Sequence, residues 1–198
     1  MEKNYLKEEK PNTNSGEVIP KGMKDIDVSK IPKDVQKKLK AIKGKLDIFK
    51  KKVNEKFGKY IAGIALLPPK KQGEGKEQDK DKINVLVLVD DTDSKKMSKE
   101  ELRNKLGTII KSIAEKIDKN IVPSVVILSE LWQNCYDAKH ELLQLIAVSA
   151  PIHDTGMLQA IKIAEIHKTM VLKKFEKYIV SYVLAGSLVQ GRATKTSD

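Results

Sequence analysis

Apolar residues recur at alternating steps of four and three from Val35 through Leu39, Ile42, Leu46, Phe49 and Val53 to Phe57. That spacing keeps one stripe of a helix apolar. Pro32 suits its first turn, and Gly58 stands where the helix should end. Short apolar runs follow. Tyr60 to Leu67 reads as a strand closed by Pro68-Pro69. Beyond a charged loop with Gly73 and Gly75, Ile83 to Val89 reads as a central strand buried on both faces.

Asp90, Asp91 and Asp93 end that strand, and Ser98 with Glu101 three residues later forms a capping box. The helix it opens carries Leu102, Leu106, Ile109, Ile110, Ile113 and Ile117 on its apolar side. Ile121 to Leu128 is a third strand, in which Pro123 removes one ladder donor. Two helical pieces, 130–138 and 139–148, precede a short extended piece at 151–153. Asp154 or Thr155 then caps a long helix reaching about Lys177. This helix is apolar on two sides (Met157, Ile161, Ala164, Val171 and Phe175; Ile163, Ile166 and Met170). A helix apolar on two sides needs cover on both, which predicts a position between two domains. Tyr178 to Ala185 reads as a buried strand ending in Gly186-Ser187.

Charged residues are 33% and apolar ones 40% of the 198, as in a soluble α/β chain with some flexible sequence. Residues 1–31, rich in Pro, Gly, Asn, Ser and charge, read as a flexible tail. The single cysteine, Cys135, excludes an internal disulfide and suits a reducing cytoplasm. No apolar run approaches the ~20 residues of a membrane span, and the first residues lack the apolar core of a signal peptide. The formal charge is +11, and Lys33 to Lys59 holds eleven Lys against Asp34, Asp47 and Glu55. That segment is a basic helix whose field suits a polyanion such as RNA, or a solvated lysine-rich face.

The chain's end, Gly186-Ser-Leu-Val-Gln-Gly-Arg-Ala-Thr-Lys-Thr-Ser-Asp198, combines Gly-Ser after an apolar run with Gly191, Ala193, Ser197 and Asp198. It resembles the signature of the polymerase-β-like nucleotidyltransferase superfamily, in which Gly-Ser after a strand is followed by Ser-Asp-x-Asp. Gln190 stands where many small members have Arg, and the sequence stops before a second Asp, so the chain reads as the N-terminal part of a longer protein. The resemblance implies that Gly186 and Ser187 hold the β- and γ-phosphates of an NTP, ATP first among them. It implies that Arg192 steadies a phosphate and that Asp198 is the catalytic, Mg²⁺-binding acid. The reaction would pass a nucleotide to a hydroxyl and release pyrophosphate. The chemistry fits the pattern. Glycine lets the backbone approach phosphate, a helical turn aims N–H groups at it, and carboxylates two apart on a strand share a face on which to hold metal.

An internal repeat adds to this. Lys56 to Leu67 aligns with Lys174 to Ala185 at a constant offset of 118, with six of twelve residues identical. Residues 32–153 then form a first copy of the domain, and residues 154–198 hold a linking helix and the start of a second, truncated copy. In the first copy Pro68 and Pro69 replace Gly-Ser, and proline has no N–H to offer. Lys82 and Asn84 occupy the metal-binding places, and Ser124, Val125 and Val126 supply no third carboxylate. The first copy is therefore degenerate, on a mixed α+β sheet with flanking helices.

Other clusters carry little. Asp90, Asp91 and Asp93 lie beyond a strand and lack the Gly and distal Glu of a Ca²⁺ loop. His140, His153 and His167 have no zinc spacing. Cys135 lacks a base and reads as a partly buried thiol, and Trp132 and Tyr136 read as core contacts. A rival to the enzyme is a non-catalytic nucleotidyltransferase-like scaffold that binds RNA or a protein through its basic helix. A third is an antitoxin-like enzyme that modifies a protein or tRNA.

Overall fold

The computed structural model describes residues 33–68, 82–94 and 97–187, with side chains from residue 40 onward. The chain divides into two compact units, 1–39 and 40–198. Of the first, only the helical backbone of 33–39 is described, so the expected tail at 1–31 lies outside.

The described elements run α1 (Lys33–Phe57), a 3₁₀ turn (Gly58–Tyr60), β1 (Ile61–Leu66), β2 (Ile83–Val89), α2 (Lys99–Glu115) and β3 (Ile121–Ile127). There follow α3 (Leu128–Tyr136), α4 (Glu141–Ala147), β4 (Ala150–Asp154), α5 (Met157–Phe175) and a second 3₁₀ turn (Glu176–Tyr178). The four strands form one mixed sheet in the order β3-β2-β1-β4. β1 is antiparallel to both β2 and β4, while β2 and β3 are parallel. This is an α+β fold with helices on both faces of the sheet.

Alternation along the strands sorts the core into two layers. Ile61, Ile64, Val85 and Val87 meet Leu46, Phe49 and Val53 of α1 and Leu106, Ile110 and Ala114 of α2 in one apolar cluster. Ala62, Ala65, Leu86 and Leu88 join Leu128, Leu131, Leu143, Ile146, Met157, Leu158 and Ile161 of α3, α4 and α5 in the other. The stripe read along α1 is thus a packing face from Ile42 to Phe57; Val35 and Leu39 fall outside the described side chains. β3 lies at the sheet's edge, which accommodates Pro123. The piece at 151–153 proves to be an edge strand paired with β1.

Local chemistry places the ends as expected. The Ser98 hydroxyl accepts from the Glu101 N–H at 3.2 Å and caps α2. Asp154, rather than Thr155, caps α5: its carboxylate accepts from the N–H groups of Gly156 (2.9 Å), Leu158 (3.0 Å) and Gln159 (2.9 Å). Thr155 instead donates its hydroxyl to the Ala62 carbonyl at 2.9 Å, tying the start of α5 to β1. Here α5 presses so close that a Cβ on Gly63 would lie 2.5 Å from Leu158 Cγ.

One expected element does not form. Residues 179–185 contain no strand; Val180 is 101% and Val183 77% exposed. A strand needs a neighbour to take its alternate backbone groups and bury its faces. Both edges of β1 are occupied, and no described strand lies beside 179–185. Among the described residues no helix is long and apolar enough to cross a membrane.

Candidate functional site

The corner singled out by sequence begins where α5 ends. Phe175 (φ −130°, ψ 21°) leads into the turn Glu176–Tyr178 and then Ile179 (φ −92°, ψ 114°). The same junction opens β1: Phe57 (φ −132°, ψ 10°), the turn Gly58–Tyr60, and Ile61 (φ −81°, ψ 104°). Lys56 lies over the Phe57 ring at 5.8 Å, and Lys174 over the Phe175 ring at 5.3 Å. The backbone therefore repeats at the same offset of 118 as the sequence.

A side-chain pair repeats with it. The Tyr182 hydroxyl lies 3.0 Å from His167 Nδ1, with the rings 5.9 Å apart and tilted. Their counterparts, Ile64 and Phe49, are fully buried in one cluster. The second apolar side of α5 is bare: Ile163, Ile166 and Met170 are exposed, while Met157, Leu158 and Ile161 are buried.

Gly186 follows in a turn with Ser187, at φ 79°, in the left-handed region that glycine adopts at no steric cost. Among the described residues, a Cβ there would meet nothing within 4 Å. Arg192 and Asp198 lie outside the described residues.

The corresponding corner between β1 and β2 is well defined. The Leu67 N–H donates to the Asn84 carbonyl at 2.9 Å, which brings the approach to Pro68 against the start of β2. Across the sheet Asn84 pairs with Val122 and Leu86 with Ser124. The face where acids would be needed thus carries Asn84, Val122 and Ser124, with Lys82 one step before β2. None is a carboxylate. Pro69 and Asp81 lie outside the described residues.

The acidic turn after β2 is structural. The Asp90 carboxylate accepts from the Thr92 N–H at 2.9 Å and from the Thr92 hydroxyl. Asp91 accepts from the Ser129 N–H at 2.9 Å, at the start of α3. Among the described residues no group of three or more His, Cys, Asp or Glu could hold a metal.

On α1, exposed Lys40, Lys43, Lys51, Lys52, Lys56 and Lys59 have no acidic partner among the described residues. Lys45 pairs with Asp118, and Lys50 with Asp47 at 3.2 Å. Lys59 lies over the Tyr60 ring at 5.3 Å. The basic surface is therefore a flank of α1 continued into the turn before β1.

A cavity of about 230 Å³ lies between α3, α4, α5 and residues 182–184, lined in part by Trp132, Cys135, His140, Glu165 and Lys168. Burial pushes the Cys135 thiol up from its ordinary value, partly offset by the Lys168 ammonium. Glu165, buried, pairs with Lys168 at 2.6 Å. Sequence reading missed this pair, although Glu and Lys three apart on an apolar helix were its signal. Trp132 packs on the second apolar cluster as expected. Tyr136 does not: it is the last residue of α3 and is 90% exposed.

Comparison with known protein families, curated proteins and solved structures finds no match to this chain.

Proposed function

We propose that the chain belongs to a tandem nucleotidyltransferase, acting in a reducing cytoplasm. Residues 32–153 serve as a degenerate first domain, and the helix α5 with the Gly186-Ser187 corner opens a competent second one. The observation that carries this reading is the repeated junction: helix, Phe, 3₁₀ turn and extended Ile recur at a fixed offset and lead into Gly186. At the matching position of the first copy the chain has Pro68. The two corners differ where phosphate recognition needs them to. A left-handed glycine with a following hydroxyl can present N–H and O–H donors to an anion; two prolines cannot.

In this reading Gly186 and Ser187 receive the β- and γ-phosphates of ATP or another NTP. Arg192 offsets their charge, and Asp198 holds the metal. Mg²⁺ held there would supply a counter-charge to the triphosphate. That Lys82, Asn84, Val122 and Ser124 carry no carboxylate supports a first copy that positions the second without reacting.

The test is incubation of the natural polypeptide with labelled NTPs and Mg²⁺. Label appearing on a macromolecule with release of pyrophosphate is the expected result. Gly186→Val, which forces a branched side chain into the left-handed region, should suppress it. Failure of every NTP to donate label would end the proposal.

A second reading draws on the six lysines of the α1 flank. It makes the first copy an RNA-holding scaffold, steered by charge rather than by base contacts.

A further inference from the structure

We infer that the cleft at the end of β2 binds a small molecule carrying a primary ammonium on an apolar body, with Asp90 and Asp93 holding the charge. The inference does not rest on the nucleotidyltransferase reading and concerns a separate place in the fold.

The cleft, of about 600 Å³, lies between the end of α1, the end of β2 and the first turns of α2. That volume suits a small molecule, and the carboxyl end of a parallel strand is where α/β sheets usually receive one. Phe57, Val89, Met97, Leu102 and Leu106 give it apolar walls, of which Val89 and Leu106 are buried. Tyr60, 40% exposed, stands at the cleft with Asp90, Asp91 and Asp93. Those three acids are the only charged residues in its lining among the described ones.

The turn does not use up its carboxylates. The Thr92 N–H and hydroxyl both donate to Oδ1 of Asp90, and the Ser129 N–H donates to Oδ1 of Asp91. Neither Oδ2 takes a hydrogen bond among the described residues, and Asp93 has no partner there. The Ser129 hydroxyl, next to the N–H that holds Asp91, is buried without a partner among the described residues. Folded proteins rarely leave such a group unsatisfied.

The charge of the ligand follows from what is already occupied. Helix N–H groups that would receive an anion here are taken: Ser98 accepts from Glu101 on α2, and Asp91 from Ser129 on α3. A phosphate would instead face three carboxylates. Lys56 and Lys59 already lie over the Phe57 and Tyr60 rings, at 5.8 and 5.3 Å, and neither lysine lines the cleft. The rings therefore receive the apolar body, and the acids receive the ammonium, whose three N–H donors match their open oxygens.

Titration of the 198-residue chain with hexylammonium, hexanol, hexanoate and methylammonium tests this, read from the amide NMR shifts of residues 90–94, Leu102 and Leu106. Hexylammonium should bind about 10-fold more tightly than hexanol, the worth of one charge-assisted hydrogen bond. Hexanoate should bind more weakly than hexanol. Asp93→Asn, at an exposed residue, should weaken hexylammonium by about 3-fold. Adding Asp90→Asn, which keeps the oxygen to which Thr92 donates, should bring the loss to about 10-fold and leave hexanol binding as it was. Hexanol binding as tightly as hexylammonium would reduce the cleft to an apolar groove and overturn the inference. So would methylammonium binding as tightly as hexylammonium, which would reduce it to surface charge. Unchanged affinity for hexylammonium in the double variant, or no shift at these amides, would overturn it equally.

Discussion

The Tyr182 hydroxyl stands 3.0 Å from His167 Nδ1, and the two residues lie 118 positions after Ile64 and Phe49, which share one buried cluster. A meeting of a helix with the segment after it is thus made twice in this chain with different chemistry. In the interior of the sheet it is aliphatic and aromatic. Between α5 and the segment after it, it is a polar pair at the surface.

The approach of α5 to β1 makes Gly63 intolerant of any side chain. Gly63→Ala forces Leu158 to move, at about 1–3 kcal/mol by the usual cost of overpacking. Gly44→Ala, in the interior of α1 with open space around it, should stabilise by about 0.5–1 kcal/mol. Urea unfolding of the two variants checks both signs. Leu158→Ala combined with Gly63→Ala should cost less than the sum of the single changes, because each relieves the other.

Asp118 gives a pH dependence of definite sign. The hydrogen bond from Lys45, with the N–H of Asn120, holds its carboxyl below the ordinary 3.8. Its contribution is therefore fully present above that value and lost as pH falls through the lower folded-state value. Asp118→Asn should lower stability at neutral pH and, by the same amount, flatten the decline below about pH 4. An unchanged acid limb in thermal melts would show that Asp118 is not its source.

The strands of the sheet and the helices α1 to α5 were legible because their apolar residues repeat at two or three-to-four positions and their caps are local. β2 is an unbroken run from Val85, and Ser98 with Glu101 marks the start of α2. The segment after α5 misled because Tyr178 to Ala185 has the composition of a buried strand; burial depends on neighbours, and composition does not report them. Tyr136 misled for a similar reason, since its spacing from Trp132 says nothing of where α3 stops. The Gly-Ser turn was legible, but the left-handed backbone of Gly186 was not read from the sequence. The pairing of His167 with Tyr182 was implicit in the repeat, and needed only the alignment to be followed back into the helix.

The α1 lysines give the RNA reading its own measure. Single-stranded RNA should bind the chain with a steep dependence on salt. Replacing Lys51, Lys52 and Lys56 by Gln should reduce the slope of log affinity against log salt by about 2, near 0.7 for each phosphate no longer neutralised. Binding that ignores salt, or survives the triple change, would remove α1 as a nucleic-acid surface.

The central claim, a tandem chain whose second corner grips a polyphosphate, is tested most directly by label transfer from NTP in the natural polypeptide, compared with its Asp198→Asn variant. The account predicts labelled macromolecule and released pyrophosphate from the natural sequence, and neither from the variant. Equal labelling by both, or none from any NTP in the presence of Mg²⁺, would contradict it.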